Sequence, residues 1–310
     1  MSDLPNTAVI GPGAVGCFFG GMLARAGARV TLFGRPESES PHREAIREHG
    51  LAIDGVELQE TIPLQVAEVG TDEGDAALAA AELVLFAVKS QDTLEAGEQM
   101  RGRLHPEAIV VSLQNGIDNP EVLAELGIDA LPTVVFVAAA IEQPGVVKHR
   151  GRGDLIIGDP DRRAGAPGDA AKLAAAERVS EWFETAGVPC PVADDIRRGQ
   201  WLKLILNSMT NGISALTDAS YRALVEFEPT WELALGIGRE AVAVAKVEGT
   251  VLDLDEIVAM GRKIAGGIGE ATSSTQQDIA AGRTTEIDSL NGYIVRRGAE
   301  LGVETPINRA

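Results

Sequence analysis

The sequence predicts an α/β protein in which a Rossmann-type dinucleotide-binding domain (residues 1–193) is followed by an all-helical domain (residues 194–310). Three observations support this prediction. The first half alternates short apolar runs with helical patterns, a glycine-rich turn follows the first run, and strand patterns vanish after Asp194. A chain of 310 residues is also long for one hydrophobic core.

The glycine-rich turn separates an apolar run at 7–10 from a helical pattern at 17–26 and a second strand at 29–33. This order is typical of a dinucleotide-binding unit. Gly11 would permit the tight turn, Gly13 the approach of a pyrophosphate, and Gly16 close packing of helix and strand. The phosphates would meet free amides at the helix start. A tight structural turn is the alternative. The turn comprises Gly11, Pro12, Gly13, Ala14, Val15 and Gly16.

The end of the second strand indicates which nucleotide is bound. An acidic residue there would accept hydrogen bonds from the ribose 2′-hydroxyl of NAD, but the chain runs Leu-Phe-Gly-Arg at 32–35. The planar guanidinium of Arg35 suits the 2′-phosphate of NADP, so the predicted cofactor is NADP(H). The alternative is a surface arginine that leads a mobile loop at Pro36 to Pro41.

Two later apolar runs have the pattern of buried parallel strands, and polar residues follow each of them. The run at 82–88 precedes Lys89, and the run at 109–113 precedes Gln-Asn-Gly at 114–116. Ligands of open α/β sheets bind beyond the carboxyl ends of the strands, so Lys89 and Asn115 are candidates to contact cofactor or substrate. The alternatives are a solvated lysine at a helix start and a simple turn at Asn115.

The rest of the chain is predicted from the same patterns. Closely spaced apolar runs at 134–141, 146–149 and 155–157 predict an antiparallel extension of the sheet. A helix at 170–186 and a short strand at 189–192 follow. Asp194 and Asp195 then resemble the cap of a long helix, and the remaining helices are predicted to break near Gly212, Pro229, Gly249 and Gly282.

The first long helix of the second domain carries a polar face. Lys203, Asn207 and Asn211 are spaced at i, i+4 and i+8 within an apolar segment. At about 100° per residue they span about 80° of arc, so they share one side of the helix. Buried polar groups need partners. A bound polar molecule is one candidate, and a neighbouring loop or water is the other.

Composition excludes several classes of function. The chain has 46 Asp and Glu against 27 Lys and Arg, a formal net charge of -19, so a nucleic-acid partner is not expected. The longest apolar run, at 134–141, is too short to span a membrane, and the start lacks a secretory pattern, so a cytoplasmic protein is expected. Two cysteines and four scattered histidines predict no metal. A homodimer is the commonest assembly, but the sequence does not fix one.

Six segments of the chain resemble one family, the 2-dehydropantoate 2-reductases or ketopantoate reductases. The segments are GPGAVG at 11–16, AVKSQDT at 87–93, LQNGID at 113–118, WLKLILNSMTNGISALT at 201–217, SSTQQDI at 273–279 and TEIDSLNGYIVRRGAELGVETP at 285–306. The resemblance implies an NADPH-dependent reduction of 2-dehydropantoate, a small anionic 2-oxo acid, to pantoate on the route to pantothenate and coenzyme A.

The resemblance also implies roles for individual residues. Where the family often has a further substrate asparagine, this chain has Tyr221, which puts the identity of the substrate in doubt. The implied roles are Lys203 as the proton donor that also binds the substrate, Glu286 as a second catalytic residue close to substrate and cofactor, Asn207, Asn211 and Ser274 as substrate-binding residues, Asn115 as a contact to both substrate and cofactor, Lys89 as a cofactor-side lysine, and Ala140 as a backbone contact to the cofactor.

These residue types suit ketone reduction on chemical grounds. Hydride transfer to a ketone builds negative charge on its oxygen, which an ammonium such as that of Lys203 can stabilise and protonate. For Ser274 the alternative is a helix cap, and for Glu286 it is a surface carboxylate beside Arg283. Two other functions stay open: a related reductase of a different 2-oxo acid, and a non-catalytic NADP-binding module.

Overall fold

The computed structural model describes residues 4–35, 40–56, 58–165 and 167–310. The chain divides into two compact units. The first comprises Met1–Gln114 and Asn119–Ile196, and the second comprises Asn115–Asp118 and Arg197–Ala310. Four residues that follow a strand of the first unit therefore group with the second. The functional division at residue 193 stays a prediction.

Within the described residues, the first unit contains a nine-stranded sheet. Its strands are β1 (Thr7–Ile10), β2 (Val30–Phe33), β3 (Leu51–Gly55), β4 (Gln59–Ile62), β5 (Gln65–Ala67), β6 (Leu83–Phe86), β7 (Ile109–Ser112), β8 (Ala130–Gln143) and β9 (Val146–Ile157). Their order is β4-β3-β9-β8-β7-β6-β1-β2-β5. The run from β8 to β5 is parallel, whereas β9 pairs antiparallel with β8. The predicted Rossmann-type sheet is thus confirmed.

Helices cover both faces of this sheet, which explains the unbroken apolar runs of its strands. Along β1, Val9 packs in one apolar cluster with Phe19 and Phe183. Its neighbour Ile10 packs in another cluster with Leu78. The helices are α1 (Ala14–Arg25), α2 (Pro41–His49), α3 (Asp72–Ala79), α4 (Thr93–Met100), α5 (Asn119–Glu125) and α6 (Ala170–Thr185), with a 3-10 turn at Ser90–Asp92.

Two sequence expectations for the first unit need revision. The three runs predicted at 134–157 form only two long strands, β8 and β9. The short strand predicted at 189–192 is wrong, because that segment forms only an isolated bridge between Val192 and Ile157. Its two prolines lack the amide hydrogens that a strand ladder needs. Their carbonyl oxygens still accept hydrogen bonds from β9.

The described residues of the second unit form helices and connecting turns with no strand, as predicted. Its core surrounds the buried side chains of Trp201, Met209 and Ile294. No helix in the described part of the chain is long and apolar enough to cross a membrane. The helices are α7 (Ile196–Thr217), α8 (Tyr221–Glu226), α9 (Glu228–Val247), α10 (Leu254–Ile268), α11 (Ser274–Ala280), α12 (Asn291–Leu301) and α13 (Pro306–Arg309), with a 3-10 turn at Ile287–Ser289.

The helix breaks are predicted correctly at three of four places. Pro229 lies in the first turn of α9, and Gly249 and Gly282 follow the ends of α9 and α11. The break predicted near Gly212 is wrong, because α7 continues to Thr217. Glycine costs a helix only about 1 kcal/mol relative to alanine. Buried apolar residues on either side of Gly212 carry the helix through that position.

A buried carboxylate ties the helices of the second unit together. The Glu248 side chain, 9% exposed at the end of α9, accepts a hydrogen bond of 2.7 Å from Trp201 Nε1 on α7. It also forms ion pairs with Arg197 at 3.2 Å and Arg297 at 3.1 Å, and accepts a bond from the Tyr293 hydroxyl. The contacts of this one carboxylate therefore connect α7, α9 and α12.

Candidate active site

At each end of the glycine loop between β1 and α1, the space beside the backbone is too small for a side chain. Gly11 has φ +103°, and a Cβ atom there would lie 2.7 Å from the amide nitrogen of Val88. A Cβ at Gly16 would collide with the carbonyl oxygen of Gly11 and approach Val9. The roles predicted for the first and last glycines, a tight turn and close packing, fit this geometry.

The middle glycine faces open space. Gly13 is the residue that precedes α1, and an added Cβ would meet no atom of the described residues within 4 Å. No side chain caps this end of α1. The helix start therefore offers backbone amides that a side chain does not cover, which is the arrangement that suits a phosphate. The residues present thus fit the pyrophosphate of a dinucleotide.

The helix start also contains a thiol. Cys17 Sγ lies 3.4 Å from the carbonyl oxygen of Pro12 and 3.5 Å from Nε2 of His42. Burial raises the pKa of Cys17 to about 12 and lowers that of His42. The thiol therefore stays protonated and uncharged, and adds no negative charge next to the loop.

Arg35 directly follows β2, as predicted, but it has a partner that the sequence did not indicate. Its Nη2 atom lies 2.5 Å from Oδ1 of Asp92, in the turn after β6. The Arg35 side chain is 60% exposed, and that of Asp92 is 25% exposed. The mobile loop predicted after Arg35 falls mostly on residues 36–39, which lie outside the described residues.

Lys89 is half-buried at the start of the 3-10 turn, where the carboxyl end of β6 places it.

A buried polar network that the sequence did not predict connects this turn to the end of β7. Gln114 Nε2 donates to Val88 O at 3.1 Å and to Thr93 Oγ1 at 2.7 Å, while Gln114 Oε1 accepts from Ser112 Oγ at 3.0 Å. In the sequence, the only indication of this network is a glutamine that directly follows an apolar run.

Ala140 is half-buried on β8, well past Pro132, the last residue of that strand to pair with β7. Its partner across the hairpin is Lys148 on β9. The cofactor contact implied for Ala140 stays a prediction.

Three predicted residues meet in the second unit. Lys203 Nζ donates to Asn115 Oδ1 at 2.9 Å, and Asn115 Nδ2 donates to Glu286 Oε2 at 3.1 Å. The amide thus bridges the ammonium and the carboxylate, and both ends of the amide are satisfied. The Lys203 ammonium is thus held by Asn115, and the Glu286 carboxylate lies at the other end of the same amide.

The polar face predicted on α7 is present on one continuous helix. Lys203 and Asn207 are half-buried, and Asn211 is buried. Asn211 Oδ1 lies 3.3 Å from the hydroxyl of Thr210 and 3.4 Å from that of Tyr221. Burial raises the pKa of Tyr221 to about 12, so its hydroxyl is neutral. The alternative of partners in a neighbouring loop is thus realised for Lys203 through Asn115, whereas Asn211 has partners on α7 and α8.

Ser274, the remaining predicted substrate-binding residue, lies at the surface of the second unit. Ser274 is exposed at the start of α11, and the cap is Ser273, whose Oγ accepts from the amide of Gln276. The alternative of Ser274 as a cap is therefore wrong. Arg283, the alternative neighbour of Glu286, forms its ion pair with Asp278. Over the described ranges, no group of three or more His, Cys, Asp or Glu could hold a metal ion.

The parallel sheet of the first unit with its glycine loop, and in the second unit a lysine hydrogen-bonded to an amide that in turn donates to a carboxylate, are typical of an oxidoreductase of the NAD(P)-dependent class. Family models described as Ketopantoate reductase PanE/ApbA and its C-terminal part match residues 7–162 and 195–310. The chain belongs to the ketopantoate reductase family.

Curated and solved relatives resemble almost the whole chain. The 2-dehydropantoate 2-reductase of Halobacterium salinarum is 36% identical, covering 97% of this chain and 94% of its own. A PanE/ApbA family ketopantoate reductase from Ralstonia eutropha JMP134 is 39% identical with a TM-score of 0.85, covering 98% and 94%. D-mandelate dehydrogenase, solved with NADH and anilino(oxo)acetate, is 26% identical with a TM-score of 0.86, covering 98% and 95%.

Proposed function

We propose that this chain uses NADPH to reduce 2-dehydropantoate to pantoate, a step towards pantothenate and coenzyme A. The observation that carries the proposal is the Lys203–Asn115–Glu286 arrangement, which holds a proton donor in a family of ketone reductases. The names of the Halobacterium salinarum and Pyrococcus abyssi relatives, both 2-dehydropantoate 2-reductases, support this substrate.

In this proposal, residues 1–193 hold the nucleotide. The amides that follow Gly13 bind the pyrophosphate, and Arg35 binds the 2′-phosphate. Lys89 and the backbone at Ala140 add contacts to the cofactor. The bound nicotinamide supplies the hydride.

Residues 194–310, together with Asn115, act on the substrate. Lys203 stabilises the negative charge that develops on the ketone oxygen and then donates a proton to that oxygen. Asn115 and Glu286 orient the ammonium. The substrate is anionic and carries a hydroxyl, which suits amide and hydroxyl side chains that can donate hydrogen bonds. Those side chains are Asn207, Asn211 and Ser274.

The direct test is NADPH oxidation by the purified protein with 2-dehydropantoate and a panel of other 2-oxo acids. We expect the highest kcat/KM for 2-dehydropantoate. A higher value for another acid would keep the reaction class and overturn the substrate.

A second candidate substrate class is 2-oxo acids with an aromatic group. The observation that favours it is the Tyr221 ring beside Asn211, together with the similarity to a dehydrogenase solved with anilino(oxo)acetate. The panel therefore includes an aryl 2-oxo acid. Turnover of that acid above 2-dehydropantoate would favour this second candidate.

Gly13→Ser separates a nucleotide site from a merely structural turn. Serine is a preferred residue at a helix start, and open space surrounds this position, so we expect the free energy of unfolding to change by less than about 0.5 kcal/mol. The added side chain keeps phosphates away from the amides. Loss of one charge-assisted hydrogen bond, about 1.5 kcal/mol, raises the dissociation constant of NADPH roughly tenfold. Unaltered NADPH binding in a stable variant would favour the structural turn.

Arg35→Ala tests the assignment of the cofactor. We expect the Michaelis constant for NADPH to rise about tenfold or more, because a charge-assisted contact to the 2′-phosphate is lost. The constant for NADH should change by less than about twofold, since NADH has no phosphate at that position. Steady-state kinetics with both cofactors give this comparison. Equal effects on the two constants would remove Arg35 from phosphate recognition.

A further inference from the structure

The structure places two opposite cofactor signals side by side. An arginine after β2 favours the 2′-phosphate of NADP, whereas a carboxylate near the ribose favours the 2′-hydroxyl of NAD. Here the Arg35 guanidinium is 2.5 Å from the Asp92 carboxylate. We propose that Asp92 sets the cofactor preference of this chain by competing with the 2′-phosphate for Arg35.

The order of the strands supports this role. β1 lies between β2 and β6, and all three are parallel and in register at Ile10, Phe33 and Phe86. The glycine loop leaves β1, Arg35 leaves β2, and Asp92 lies in the turn after β6. The ion pair therefore joins the two loops that flank the glycine loop, on the sheet edge where dinucleotides bind.

The carboxylate of Asp92 is available for this role because it does not cap its helix. Asp92 is the last residue of the 3-10 turn that leads into α4, and its backbone is helical (φ -97°, ψ -1°), not in the extended conformation from which an aspartate accepts a hydrogen bond from the first-turn amides. No such bond forms here. The side chain instead reaches Arg35, so the position of the carboxylate is explained by the arginine and not by the helix.

The two cofactors meet this ion pair differently. A 2′-phosphate must attract Arg35 away from Asp92 and also bears the repulsion of that carboxylate. A ribose with a free 2′-hydroxyl leaves the ion pair intact. Asp92 therefore weakens the binding of NADPH and has little effect on NADH, which brings the two affinities closer together.

This inference rests on the proposed nucleotide site, and binding measurements on the intact protein test it. The probes are NADPH, NADH, 2′,5′-ADP and 5′-AMP, titrated calorimetrically against wild type and Asp92→Asn. We expect Asp92→Asn to lower the dissociation constants of NADPH and 2′,5′-ADP about five- to tenfold, the effect of one nearby charge. Those of NADH and 5′-AMP should change by less than about twofold. The melting temperature should stay the same, because no cap is lost.

Glu95→Gln is the matched control, since it removes the same charge from an exposed position in the first turn of α4. It should leave all four constants nearly unaltered. An equal gain with Glu95→Gln, or equal changes for the probes with and without a 2′-phosphate, would overturn the role of Asp92. Wild type that binds neither NADPH nor NADH would instead refute the proposed nucleotide site itself.

Discussion

Lys203→Ala is expected to lower turnover with 2-dehydropantoate by about 10² to 10⁴, the range for loss of a general acid. The Lys203 ammonium donates to Asn115, and alanine removes this group, which is proposed to protonate the ketone oxygen. Binding of NADPH should be nearly unaltered, because the residues proposed to bind its phosphates belong to the first unit. Single-turnover kinetics and calorimetric NADPH titration measure the two quantities separately.

The matched control is Lys263→Ala, which removes an exposed lysine from α10 of the same unit. It should leave turnover unchanged and show that the loss of a positive charge from this acidic protein is not the cause. Lys203→Arg keeps the charge, but a guanidinium does not give up its proton near neutral pH. It should restore little activity. Turnover of Lys203→Ala near that of wild type would remove Lys203 from the mechanism.

Local patterns were sufficient to predict much of the fold. The glycine loop, the parallel strands and the polar face of α7 depend on spacings within a dozen residues, which a sequence displays directly, whereas the continuation of α7 through Gly212 was not predicted. The sequence patterns give no prediction for the segment from Pro41 to Ala81. In the structure this segment forms α2, β3, β4, β5 and α3. Its strands are short and lie towards the edges of the sheet, so their apolar pattern is weak.

Long-range pairing limited the prediction of the site. Lys203, Asn115 and Glu286 could each be named from the sequence. Their hydrogen bonds, however, join residues that lie 88 and 171 positions apart. Nothing local shows that Asn115 groups with the second unit. The partner of Arg35 was missed for the same reason, because Asp92 approaches it only through the order of strands in the sheet.

Glu248→Ala is expected to lower the free energy of unfolding of the second unit by about 3–5 kcal/mol, the cost of removing one partner from a buried ion pair. Such a loss is a large part of the roughly 5–15 kcal/mol that stabilises a typical domain. The buried Trp201 indole and the Arg197 guanidinium would each lose a hydrogen bond to this carboxylate.

Urea denaturation measures this effect in a Trp182→Phe background, in which the tryptophan fluorescence comes from Trp201 and Trp231 of the second unit. The control is Glu300→Ala, because Glu300 pairs with the same Arg297 but its side chain is 62% exposed. An exposed pair contributes only about 0–1 kcal/mol, so this variant should unfold almost like wild type. If the two variants lost the same small amount of stability, the Glu248 cluster would be no more than a surface ion pair. A loss of unfolding free energy in Glu248→Ala alone would instead show that the burial of this carboxylate, rather than the number of its ion pairs, stabilises the packing of α7, α9 and α12.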